Sequence, residues 1–378
     1  MASSDAPDRF AILGLGMVTP LGHGAEASCA AIRAGLARFA EMSVDDGGSA
    51  RRSAELCPQT PAGASPIIGS RMRGVTDGLA GAARFTRLAC GAVTDLVEST
   101  SLSPQDLASA GFYVALPPFA DRPGLEPELA ATLGRSLGEA CAVTGLDART
   151  RIFSSGHAGV IAALAEAVKD LRSRRVPRAI VGGVDSLVEP ATVARYHARN
   201  RLKVDGRPVG LMPGEAAAFF LVEALAPAEA RGAAILATLE APATAIEPVL
   251  IDGDDDLVCD ASGLTECARH TLGALADGGA RTGLVIGDLN GEPYRSQELA
   301  YLVARALEGL QSPWRLWHPA DTIGDTGAAA AAVSIAVGAR ALHRGYARTE
   351  GALIFASSDS GLRGTVHLAA HRRAPAKG

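Results

Sequence analysis

The chain has 378 residues, 48% of them hydrophobic and 20% charged, enough for two domains or one large duplicated one with a sizeable core. A net charge of -5 gives no general attraction to phosphate backbones or anionic lipid, and no apolar run reaches the length of a membrane span, which argues against nucleic-acid and membrane binding. Six scattered cysteines (Cys29, Cys57, Cys90, Cys141, Cys259 and Cys267) show neither the paired spacing of a zinc site nor a disulfide framework, so no metal or cofactor is expected.

In chain order, residues 1–8 read as a loose tail without a secretion signal, so a cytoplasmic protein is expected. "FAILGLGMVTPLG" (10–22) is a buried strand running into a Gly-rich turn. Thr19 stands where a dinucleotide-binding glycine pattern needs its last glycine. Residues 43–65 are polar and rich in Gly, Pro and Ser, a surface loop. "RFTRLACGAVTDLVES" (84–99) has helical apolar spacing, Ser103 with Pro104 predicts a helix start, and "GFYVALP" (111–117) is a short strand. "RIFSSGHAGVIAALAEAVKDL" (151–171) reads as a strand end turning directly into an apolar helix. "DGDDDLVCD" (252–260) has acidic spacing, but Leu257 and Gly263 stand where a calcium loop needs Gly and Glu, so a solvated loop is expected. Residues 371–378 read as a second tail.

An internal repeat organises these elements. "SSGHAGVIAALAEAVKDLRSRRVPRAIVGGVDS" and "GDTGAAAAAVSIAVGARALHRGYARTEGALIFASSDS" share an order: a Gly-opened helix of small residues, a basic turn, and a strand ending in Asp-Ser. "FAILGLGMVTPLG" in the first half has a counterpart in "TGLVIGDLNGEP" (282–293) in the second. The division predicts two similar α/β halves, residues 9–231 and 232–370, joined near 225–234. Alternating strands and helices predict mainly parallel buried strands, and helices rich in Ala and Gly suit a layer between two sheets.

With "GLGMVTPLG", "IVGGVDS", "LMPGEAAAFFLVE" around Glu215, and "IGDTGAAAAA" in this order, the sequence resembles the thiolase superfamily, in its β-ketoacyl-acyl-carrier-protein synthase branch. The resemblance implies a five-layer αβαβα fold built from two duplicated halves. It also implies a thiolate nucleophile at the N-terminus of a buried helix and two histidines that stabilise the charge of decarboxylation and condensation. Matched to the family motifs, the nucleophile position falls on Phe153 and the histidine positions on Asn290 and Asp325, while the family lysine falls near Ala320 or Asp321. The glycine loop after the last strand becomes "SSDSGLRG" (357–364). The resemblance therefore implies a ketosynthase-like protein without its condensing site. Such a protein would serve as a non-catalytic partner or scaffold, chain-length-factor-like or with an accessory assembly role. It would form a homodimer, or a heterodimer with a ketosynthase, across the strand beside the nucleophile helix, with acyl carrier protein as a further partner.

Other readings of the same residues stand beside this one. Ser154 with His157 as its base would make an acyltransferase or thioester hydrolase, although Ser beside Gly at a helix start is also an ordinary cap. Asn290, Glu292 and Asp325 would form either a new acid/base group, or a helix cap at Gly327 and a satisfied turn. Cys141, in "GEACAVTGLDA", resembles a nucleophile motif but precedes the strand and the long helix, and is read as structural.

Overall fold

The structure is a computed structural model that describes residues 9–42, 66–251 and 259–371. The expectations for 1–8, 43–65 with Cys57, the acidic stretch 252–258 and the end of the chain lie outside these residues.

The first half opens with β1 (Phe10–Thr19), buried almost throughout, and continues through α1 (Ala25–Arg33) to α2 (Gly81–Thr100). In α2, Phe85, Leu88, Ala89, Ala92, Val93 and Leu96 recur at helical spacing and bury one face, so the helix lies flat on the sheet. The next short helix, Pro104–Ser109, starts where the sequence predicts: Ser103 accepts the Asp106 amide, Asp106 returns the bond, and Pro104 takes the first position. Then come β2 (Gly111–Leu116), α3 (Glu128–Ala140), β3 (Thr150–Ser154), α4 (Gly159–Arg172), β4 (Arg178–Ser186) and β5 (Glu215–Ala224). The second half has β6 (Ala237–Ile246), α5 (Ser262–Gly273), β7 (Thr282–Ile286), α6 (Pro293–Ala306), β8 (Arg315–Trp317), α7 (Ala330–His343), β9 (Gly351–Ser357) and β10 (Leu362–Ala369).

These strands form one hydrogen-bonded sheet in the order β8-β7-β9-β10-β6-β1-β5-β4-β2-β3. The order is a palindrome in kind. Each half runs third, second, fourth, fifth, first, with its second, third and fourth strands parallel and its fifth antiparallel to both neighbours. The first strands of the halves join antiparallel, Phe10 opposite Leu239 and Ile12 opposite Ala237. The sheet turns there, so its halves face each other across α4 and α7, while α2 and α3 cover one outer face and α5 and α6 the other. This is the five-layer αβαβα arrangement.

The middle layer explains the small-residue helices. α7 is buried on every side, because Ala331, Ala332, Val333, Ile335, Ala336, Val337 and Ala339 meet strands of both halves. Alanine lets two sheets close on one helix, and a larger side chain at a position such as Ala332 would cost about 1–3 kcal/mol in strain. Among the described residues no helix is long and apolar enough to cross a membrane.

Candidate functional site

The heads of α4 and α7 meet at the centre of the molecule. Each begins with a single 3₁₀ turn, Gly156–Ala158 before α4 and Gly327–Ala329 before α7, and each turn opens on a glycine with positive φ, 71° and 51°. At Gly327 a side chain is excluded twice, by that φ and because a Cβ would sit 2.0 Å from Asp185 Oδ2. The turns are closed reciprocally. Ser358, after β9 of the second half, accepts the Ala158 amide at 2.9 Å, and Asp185, at the end of β4 of the first half, accepts the Ala328 amide at 2.9 Å. Arg122 holds Asp185 through two bonds of 2.9 and 2.7 Å.

His157 is the side chain at the head of α4, and it is buried. Its Nε2 lies 2.8 Å from Asp325 Oδ1. Because a carboxylate accepts only, Nε2 carries the proton in that contact. The same Asp325 oxygen accepts the Gly327 amide at 2.8 Å, and Oδ2 accepts from Asn290 Nδ2 at 2.7 Å. Asn290 also donates to Glu292 Oε2 and accepts the Glu292 amide through Oδ1. Glu292 is clamped by Arg201 at 2.6 and 2.9 Å, and Arg201 reaches on to Asp359 at 2.6 Å. Arg295, from α6, bonds Asp288 at 2.7 Å, the Ser357 carbonyl at 2.7 Å and Asp359 at 3.2 Å, and its Nη2 lies 3.4 Å from His157 Nε2.

Four carboxylates (Asp288, Glu292, Asp325 and Asp359) thus face two guanidinium groups, so the cluster favours a third cation. Burial opposes the imidazolium of His157 and Asp325 favours it, while Arg295 opposes it; the balance raises the His157 pKa above its ordinary 6.5. Burial alone would raise the Asp325 pKa, but His157 and Arg295 beside it hold the carboxyl well below the usual carboxylate range. Asp359 is likewise held low, by Arg201 and Arg295 against its burial. Such a network suits a cation. An enolate or oxyanion would meet Asp325 where it needs a donor.

Several sequence expectations are placed differently. Phe153 does not stand at the head of the helix: it lies inside β3, with its half-buried ring against the central core and the Arg151 guanidinium 5.8 Å from its centroid. His157 lies in the 3₁₀ turn that follows Ser155 and leads into α4 at Gly159. Ser154 is exposed at the end of β3, and no hydrogen bond joins it to His157, whose imidazole turns to Asp325. The proposed Ser154–His157 pair is not assembled. Asn290 and Asp325 are brought together, and both conservative roles expected of them are visible: Asp325 accepts the Gly327 amide at the head of α7, and Asn290 closes a turn onto Glu292. Asp321 sits on the surface beside His318.

Cys141 closes the end of α3, where burial pushes its thiol up to about 11. Cys29 and Cys267 are pushed to about 12 by burial, and Cys90 and Cys259 are also raised, so none of the described cysteines is poised as a thiolate. Among the described residues no group of His, Cys, Asp and Glu is arranged to hold a metal ion. Sequence reading missed Arg201, Asp288, Arg295, Ser358 and Asp359. His157, named in the sequence as a base for Ser154, is also marked by the repeat, since superposing Gly156 on Gly327 sets it opposite Ala328 in the turn before a helix.

No family model matches the chain, and no curated protein matches it. Solved structures do. The chain is similar to one in a type II PKS acyl-carrier protein complex with its ketosynthase, at TM-score 0.77 and 16% identity over 97% of this chain and 100% of the other. It is similar to an oxazolomycin ketosynthase domain of Streptomyces albus JA3453 at TM-score 0.76 and 16% identity, covering 98% and 76%. It is also similar to the ishigamide ketosynthase/chain length factor at TM-score 0.73 and 17% identity, covering 97% and 100%. Likeness at this identity establishes the fold, which is the thiolase-like fold of ketosynthases.

Proposed function

We propose that the chain is a ketosynthase-like subunit without condensing chemistry, acting in the cytoplasm as a non-catalytic partner or scaffold in the manner of a chain length factor. One observation carries the reading. At the head of α4, where the thiolase-like mechanism needs a thiolate, stands an imidazole bonded to Asp325 inside a network whose carboxylate oxygens are already taken. On this reading His157, rather than Phe153, replaces the nucleophile, and Asn290 and Asp325 replace the two histidines. The halves divide at 231/232, between the helix Leu225–Ala230 and β6.

The partner is a ketosynthase or a second copy of this chain, with acyl carrier protein as a further ligand of the assembly. The free edge of β3 supports this: the strand pairs only with β2 among the described residues, and Ile152 and Phe153 stay half-exposed on it. An unpaired edge with apolar side chains is a natural place for another strand.

Intact-mass spectrometry after incubation with malonyl and acyl thioesters, followed by peptide mapping, tests the loss of chemistry. The expected result is an unmodified chain. An acyl group on Ser154 would overturn the reading in favour of a transferase or hydrolase.

A further inference from the structure

The far end of α7 carries a second concentration of charge, of opposite sign to the chain as a whole. A cleft of about 790 Å³ is lined by Arg33, Arg315, Arg340, Arg344 and Arg348, with Glu26 as its one acid. It lies one helix length, about 21 Å for the fourteen residues of α7, from the His157 network. Its arginines come from four segments: the end of α1, the edge strand β8, the last turn and cap of α7, and the turn that follows. Glu26 pairs with Arg340 and, at 3.6 Å, with Arg344. Arg33, Arg315 and Arg348 have no carboxylate partner among the described residues.

The arginines at the ends of α1 and α7 compensate those helices' negative ends, about half a charge each. That leaves roughly three of the net four positive charges unanswered. Crowding is visible at Arg340, whose pKa is lowered by burial and by Arg344. The cleft is also ordered. Arg33 stacks 4.2 Å over the Tyr346 ring, Tyr346 stacks on Trp317 at 6.3 Å and 22°, and Arg315 lies 5.7 Å over Trp317. The arginine, tyrosine, tryptophan and arginine form one column that fixes two guanidinium forks before any ligand arrives.

We propose that this cleft binds a small molecule carrying two or more phosphate groups, a diphosphate or nucleoside polyphosphate. A phosphate monoester brings about -1.5 to -2 charges, so two phosphates match the uncompensated charge where one carboxylate does not. Planar forks converging from separate segments suit the tetrahedral oxygens of phosphate, and the volume fits a small ligand rather than a protein surface.

Trp317 reports on the cleft. In the otherwise intact chain carrying Trp314→Phe, its fluorescence is titrated with inorganic pyrophosphate, ATP and orthophosphate at low salt. The expected result is a saturable change with pyrophosphate or ATP, weaker with orthophosphate and suppressed by salt. Arg315→Gln and Arg348→Gln are each expected to weaken it by about tenfold. Tighter binding of ATP than of pyrophosphate identifies a nucleotide, and equal binding a free polyphosphate; both support the site. No saturation into the millimolar range, or an affinity in both arginine variants unchanged from that of the parent chain, would overturn it. So would binding of a hexaglutamate peptide in place of pyrophosphate, which would mark a surface for an acidic protein.

Discussion

His157 and Asp325 are 168 residues apart in the chain and 2.8 Å apart in the folded protein, one from each half of the duplication. Their contact makes stability depend on pH in a defined way. The His157 pKa is raised above 6.5, so its contribution is complete below 6.5 and is lost as pH rises through the folded value. Asp325 is lowered from 3.8, so its contribution is complete above 3.8 and is lost as pH falls through its folded value. Both are complete between about pH 4 and 6.5. Asp325→Asn should therefore destabilise the protein most in that window and less at pH 8, measured by chemical denaturation at several pH values. A gap that widens above pH 7 would contradict the assignment.

Restoring a thiol should not restore chemistry. His157→Cys places sulfur at the head of α4, but the Asp325 carboxylate beside it would oppose the thiolate. The expected outcome is no decarboxylation of a malonyl thioester by the single variant, assayed by loss of carbon dioxide from labelled substrate. Turnover by that variant alone would show that the loss of function is shallow and the scaffold reading wrong.

Arg295→Met removes the cation that Asp288 and Asp359 share. Leaving buried carboxylates unpaired should cost about 3–5 kcal/mol, read from urea unfolding. A cost below about 1 kcal/mol would mean that water enters the network, which would then be less enclosed than its burial indicates.

Gly327 and Gly345 both have positive φ, 51° and 72°, but a Cβ at Gly327 would meet Asp185, whereas Gly345 has nothing within 4 Å. Gly345→Ala should cost about 1 kcal/mol for the backbone alone. Gly327→Ala adds a collision and should cost about 1–3 kcal/mol more, with a lower thermal midpoint. Equal effects would show that Asp185 moves aside freely.

If β3 is the assembly edge, Phe153→Asp should shift sedimentation toward the monomer and leave the far-ultraviolet circular dichroism unchanged. An unchanged oligomer would place the interface elsewhere.

The fold was largely legible because it is written twice. A Gly-opened apolar helix followed by a strand ending in Asp-Ser occurs in both halves, and each copy vouches for the other. The site was legible at Asn290 and Asp325, whose neighbours Gly291, Glu292 and Gly327 fix local turns. The motif match at Phe153 falls inside a strand, because strand and helix do not abut: β3 ends at Ser154, and the 3₁₀ turn intervenes before Gly159. The ion pairs were not legible. Arg201 meets Glu292 across 91 residues, a distance set by the packing of the two halves rather than by local pattern.

Ser358 and Asp185 each finish a helix that belongs to the other half. A half made alone would carry an unclosed first turn at its central helix and an uncovered face on the sheet beneath it. Fragments split between the halves would have to find each other before either helix was complete.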